Sequence, residues 1–172
     1  MVGSPSKKTL LLVWHSRTGT ARQMAQAASR GALSVAEELA AQGLLDIVMK
    51  EAGDARATDL LEADGYLFCA PENLAALSGA MKEFFDRNYY PVLDRLNGRP
   101  YALLIAAGSD GNAAARQAER ICTGWRLRQI APTLIVNTRA QTPEEILAPK
   151  TVPQDRLDAC ATVGGTLAAL LL

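Results

Sequence analysis

The constraint that limits this chain most is the stretch Thr9 to Arg22, TLLLVWHSRTGTAR. An apolar run, Thr9 to Trp14, stops at His15-Ser16-Arg17-Thr18-Gly19-Thr20, and a helical pattern starts at once with Ala21-Arg22-Gln23-Met24-Ala25. A buried strand that feeds a helix through so short a connection belongs to an α/β domain with parallel strands. The connection carries hydroxyls on Ser16, Thr18 and Thr20, a Gly19 that permits close backbone approach, and the unpaired N–H groups of the first helical turn. With the helix dipole these make an anion site suited to a phosphate. A plain helix cap would use the same residue types but fewer of them. No lysine follows Gly19 in the manner of a P-loop and there is no G-x-G-x-x-G, so a monophosphate fits better than a nucleoside triphosphate or a dinucleotide.

The remaining chain repeats the alternation. Gln23 to Gln42 reads as a helix ended by Gly43, Leu44 to Met49 as a strand, Glu51 to Arg56 as a turn, and Thr58 to Ala63 as one or two helical turns. Tyr66 to Ala70 is a continuous apolar run, the mark of a strand covered on both faces. Pro71 is expected to break it and open a loop, Pro71 to Leu77, before Ser78 caps a helix from Gly79 to about Leu96. The stripe Met81, Phe84, Phe85, Tyr89 on that helix reads as core rather than as cofactor contact. Asn97-Gly98 turns into a strand, Pro100 to Ala107, which ends at a second glycine- and hydroxyl-bearing loop, Gly108-Ser109-Asp110-Gly111-Asn112. A helix from Ala113 to about Gln129 and a last strand, Pro132 to Val136, follow. Thr138 to Pro153 holds three prolines without a clear period and reads as an irregular insertion. Asp155 to Leu172 closes as a helix that Gly164-Gly165 should weaken. Five parallel strands with helices on both faces give a three-layer sandwich, and the ligand of such a sheet lies beyond the carboxyl ends of its strands. The unusual loops after strands one, three and four should converge there.

The totals exclude several classes. The 172 residues suit a single domain, 1–172, with residues 1–7 read as a disordered or tag-like start. Eighteen basic residues balance eighteen acidic ones, so nothing calls for nucleic acid or a membrane surface. Cys69, Cys122 and Cys160 are far apart in apolar surroundings, which reads as reduced thiols in a cytoplasmic protein, without disulfides or a metal site. No segment has the length of a membrane span.

The segments H-S-R-T-G-T-A-R at 15–22, P-E-N-L-A-A-L-S-G-A-M-K-E-F-F-D at 71–86 and A-A-G-S-D-G at 106–111 resemble the flavodoxin-like flavoproteins, in particular the NAD(P)H-dependent FMN reductases and related quinone reductases. The resemblance covers Lys8 to about Val136 and implies a flavodoxin-like sandwich of strand order 2-1-3-4-5. It implies that the first loop wraps the FMN phosphate through Ser16, Thr18 and Gly19, with Arg17 and Thr20 contributing mainly backbone and Ala21 standing where relatives carry a hydroxyl. It implies that Pro71, Glu72, Asn73, Leu74 and Ala75 lie along the isoalloxazine, where relatives often have an aromatic near Leu74 and a glycine at Ala75, and that Gly108, Ser109, Asp110 and Gly111 close the other side.

The resulting expectation is an FMN-dependent oxidoreductase that takes a hydride from NAD(P)H and passes electrons to a quinone or other small-molecule acceptor, as a homo-oligomer in part of the family. The cofactor performs the chemistry, so no catalytic acid or base is nominated. His15, the only histidine, reads as a local hydrogen-bonding residue beside the phosphate loop. Two alternatives remain open: a flavodoxin-like electron carrier, against which the zero net charge argues, and a cofactor-poor binding module.

Overall fold

A computed structural model describes residues 6–172; Met1 to Pro5, the greater part of the predicted tag-like start, lie outside the described residues. The elements are β1 (Lys8–Trp14), α1 (Thr20–Glu38), β2 (Leu45–Glu51), α2 (Ala57–Glu62), β3 (Gly65–Asn73), β4 (Ala76–Leu77) and α3 (Gly79–Val92). They continue with β5 (Pro100–Ala107), α4 (Asn112–Gly124), β6 (Arg128–Gln129), β7 (Leu134–Asn137), α5 (Pro143–Leu147) and α6 (Gln154–Leu171). The sheet order is β2-β1-β3-β5-β6, with β7 also on β5 and β4 antiparallel to β3. Counting β6 and β7 as one interrupted edge strand, this is the expected parallel order 2-1-3-4-5. The interruption contains Pro132, which has no N–H for a ladder and is tolerated at an edge.

Alternate residues of each central strand enter opposite cores. Leu11, Val13, Tyr66, Phe68, Tyr101 and Leu103 face α2, α3 and α4, where Phe85 packs edge-on against both Phe68 and Trp125 at centroid distances of 5.1 Å. Leu10, Leu12, Leu67, Cys69 and Leu104 face α1 and α6. Of the predicted stripe on α3, Met81, Phe84 and Phe85 are core, whereas Tyr89 is exposed.

Several boundaries differ from the sequence reading. α1 ends near Glu38 instead of Gln42, because Ala40 takes the left-handed conformation (φ 52°) and the Ala41 N–H reaches back to the Ala36 carbonyl, closing the helix before Gly43. α3 stops at Val92, one residue after Pro91 removes an N–H from its last turn. α4 stops at Gly124 instead of Gln129, where Arg126 turns left-handed at φ 59°. Gly164-Gly165 is a seam rather than a weak point. A Cβ on Gly164 would lie 1.9 Å from the Ala28 carbonyl oxygen, and one on Gly31 would lie 1.9 Å from that of Ala161. Backbone of α1 and α6 therefore meets without side chains between, midway along α1 at Ala28 and Gly31. No helix among the described residues is long and apolar enough to cross a membrane.

Candidate functional site

At the carboxyl end of β1, residues 15–19 bend into α1. Gly19, at φ 99° and ψ −11°, occupies the position before the helix, and no side chain caps the first turn. Ser16 Oγ accepts the Gly19 N–H at 3.1 Å, which holds the bend, and the helical ladder begins only with the Gln23 N–H on the Gly19 carbonyl at 3.1 Å. The N–H groups of Thr20, Ala21 and Arg22 precede that ladder and have no helical acceptor. Thr20 is buried, and its Oγ1 is the one buried side-chain N or O atom without a hydrogen-bond partner among the described residues. A buried hydroxyl left unpaired costs about 1–3 kcal/mol. An uncapped helix start with an orphaned hydroxyl is not a plain cap; it is an arrangement that a phosphate would satisfy. Ser16, Thr18 and Gly19 line a cleft of about 300 Å³ together with Trp14 and the exposed Arg17, Arg22 and Glu51, two cations against one carboxylate. Ala21 is fully buried in the core beneath α1, so its backbone is what it can offer the site.

The loop expected over Pro71 to Leu77, second of the three along the chain, is a β-hairpin. Pro71 stays within β3, paired with Ala106, at a point past the last β1 partner, Cys69, where a missing N–H does little harm. β3 runs on to Asn73, which pairs with Ala76 of β4 across a two-residue turn. Leu74 (φ 51°) and Ala75 (φ 61°) are both left-handed, the conformation of a type I′ hairpin turn that ordinarily uses Asn-Gly. The Leu74 side chain is fully exposed at the tip. Glu72 links this hairpin to the third loop: its carboxylate accepts the Gly111 N–H at 2.9 Å and the Ala114 N–H at 3.1 Å. The start of α4 is thereby capped by a negative group, in contrast to the bare start of α1. Gly111 is left-handed (φ 89°), and a Cβ there would lie 2.6 Å from Ile135 Cγ2. Ser109 and Asp110 are exposed at the outer rim, and Gly108 is half-buried.

Ser78 does not cap α3 through its side chain. It is fully buried, and its Oγ lies 2.8 Å from His15 Nδ1. Burial, and then the Arg17 charge, hold the His15 pKa below its ordinary 6.5 against an opposing pull from Glu51. The side-chain partner of His15 is thus not local, as expected, but the residue that precedes α3, 63 positions along the chain. Burial also pushes all three thiols up, Cys160 to about 11, so they are protonated core groups.

The insertion 138–153 is ordered. Thr142 and Glu145 form a capping box that starts α5, and the Gln141 and Thr142 N–H groups hold the Glu145 carboxyl below its usual range. The segment leaves the third loop, where Gln141 Nε2 donates to the Gly108 carbonyl at 3.3 Å, and reaches the first, where the Lys150 N–H donates to the Thr18 carbonyl at 2.8 Å. Gln23 fastens the same junction. Neither residue carried a sequence signal beyond Gln23 lying one helical turn after Gly19.

A family model for NADPH-dependent FMN reductases matches residues 3–141. A flavodoxin of Aquifex aeolicus is 28% identical over 102 residues, 59% of this chain and 51% of that protein, so the match spans about half of the curated relative. Among solved structures, a flavodoxin from the domain Archaea superposes with a TM-score of 0.74 at 16% identity, covering 95% of this chain and 98% of that one. A WrbA-like flavodoxin from Agrobacterium tumefaciens gives 0.72 at 14%, covering 96% and 98%. These structural likenesses carry the fold, and the bare, hydroxyl-bearing start of α1 fits the phosphate of FMN. With the family match extending over most of the domain, the chain belongs to the NADPH-dependent FMN reductase family and is a flavodoxin-like FMN-binding flavoprotein.

Proposed function

We propose that this protein is an NAD(P)H-dependent oxidoreductase that delivers electrons to a quinone or another small-molecule acceptor. The observation that carries the reading is the partnerless Thr20 hydroxyl beneath an uncapped helix start, a feature costly to keep unless a phosphate satisfies it. Bound FMN supplies the hydride- and electron-accepting chemistry. The chain supplies the rest. The N–H groups of Thr20, Ala21 and Arg22 and the Thr20 hydroxyl bind the phosphate, and Arg17 lends charge from outside the loop. The turn at Leu74-Ala75 and the loop 108–111 are fixed to each other through Glu72, which gives the flavin end of the site two rigid walls. Neutral His15 holds the start of α3 to β1 and moves no proton in this account.

The zero net charge favours a small-molecule acceptor over a charged protein partner. A second copy of the chain is the proposed protein partner, as an oligomer. A second reading, an electron carrier, is favoured by the similarity to a protein named flavodoxin. The two separate in one experiment: FMN-loaded protein is mixed with NADPH or NADH, with and without benzoquinone. Continuous FMN-dependent oxidation of the nicotinamide supports the reductase. A bound flavin that neither nicotinamide reduces refutes it and leaves the carrier.

A further inference from the structure

Gln23 is the residue on which the phosphate loop and the insertion meet. Its Nε2 donates to the Gly19 carbonyl at 3.0 Å and to the Lys150 carbonyl at 2.8 Å, while its Oε1 accepts the Val152 N–H at 3.1 Å. Alongside, the Lys150 N–H donates to the Thr18 carbonyl at 2.8 Å. Val152 is buried among the residues packed on α1, so this end of the strap is anchored in the core. The two loop carbonyls held in this way belong to successive peptide planes. In a planar trans peptide the C=O and N–H point in opposite directions. Fixing the Thr18 carbonyl toward the strap turns the Gly19 N–H the other way, onto Ser16 Oγ at 3.1 Å. The Gly19 carbonyl, held by the Gln23 backbone N–H at 3.1 Å and a second time by its side chain, turns the Thr20 N–H the other way, where no helical acceptor waits for it.

We infer that Gln23 is a positioning residue: by clamping the strap 150–152 onto the loop, it fixes the Gly19–Thr20 peptide plane, whose Thr20 N–H meets the phosphate, and the bend before it, and so sets the preference for a phosphorylated over an unphosphorylated flavin. This rests on FMN binding at the first loop. Gln23 touches no flavin atom itself in this account. It acts by removing the freedom of Thr18 and Gly19 to rotate, so that the donors need no rearrangement when the anion arrives.

The test uses the full chain, freed of flavin, as wild type, Gln23→Met and Gln23→Glu. Met preserves length and loses all three side-chain bonds; Glu retains acceptance from Val152 and loses both donations. FMN and riboflavin are titrated against each, and the strap is probed by tryptic cleavage after Lys150 without ligand. The expected result is a loss of FMN affinity of about tenfold, the equivalent of about 1.4 kcal/mol, in both variants. Riboflavin affinity should change less than about twofold, since an uncharged ligand makes no use of the oriented donors. Cleavage after Lys150 should be faster in both variants. Equal losses for the two flavins would mean that Gln23 merely supports the fold and would overturn the inference. Unchanged FMN affinity or unchanged cleavage would overturn it too. Absence of saturable FMN binding by the wild type would identify failure of the FMN reading itself, and the inference would fall with it.

Discussion

Replacing Thr20 with valine should change stability and ligand affinity in opposite directions. The side chain is buried, its Oγ1 has no partner, and valine has nearly its shape, so the substitution opens no cavity. Removing an unsatisfied buried hydroxyl recovers about 1–3 kcal/mol. For a domain of this size each kcal/mol moves the melting temperature by about 2–4 °C, so the flavin-free variant should melt roughly 2–12 °C above the wild type. Adding FMN should cancel most or all of that gain, because a hydrogen bond to a charged phosphate contributes about 1.5–3 kcal/mol. Its loss weakens binding by roughly 10- to 150-fold. Thermal melts with and without FMN, together with fluorescence titration by FMN and riboflavin, read both quantities. A flavin-free variant less stable than the wild type, with unchanged FMN affinity, would instead make the hydroxyl a structural group and the start of α1 an ordinary helix end.

Ala75→Gly should relieve a left-handed alanine worth about 1–2 kcal/mol, less about 0.4–1 kcal/mol of added unfolded-chain entropy, and raise the melting temperature by a few degrees; a fall would contradict the φ of 61°. Gly164→Ala should cost about 3 kcal/mol or more, because its Cβ would lie 1.9 Å from the Ala28 carbonyl oxygen, whereas Gly124→Ala, with nothing within 4 Å, should be neutral or stabilising in the same denaturant titration. His15 titrates below its ordinary 6.5 in the folded protein, so the unfolded chain binds the proton first and stability is lost as pH falls below about 6.5. Urea midpoints across that range should decline in the wild type and decline less in His15→Gln; identical slopes would show that His15 plays no part.

What was legible in the sequence was what local pattern encodes. The apolar runs at 9–14, 66–70 and 100–107 are strands buried on both faces, and the hydroxyl-rich loop after the first needs no tertiary information to read. What was not legible depends on contacts distant in the chain. Pro71 reads as a strand breaker unless one knows that β1 stops pairing at Cys69. Leu74-Ala75 carries no turn residues, so the type I′ hairpin is visible only from its φ values. Gly164-Gly165 reads as a helix weakness until α1 is seen pressed against it. Ser78 reads as a cap, yet its hydroxyl faces a histidine 63 positions earlier. Within the candidate site, the sequence offers the hydroxyls of Ser16, Thr18 and Thr20 alike, and only burial singles out that of Thr20. Gln23 and Lys150, 127 positions apart, could not be joined by any spacing rule.

The start of α1, bare and hydroxyl-bearing, is suited to the phosphate of FMN. The most direct measurement is a fluorescence titration of the flavin-free wild-type protein with FMN, with riboflavin as the paired ligand. Saturable FMN binding, much tighter than riboflavin binding, is expected. Equal affinity for the two flavins, or no saturation by FMN up to about 1 mM, where binding is worth only about 4 kcal/mol, would contradict it.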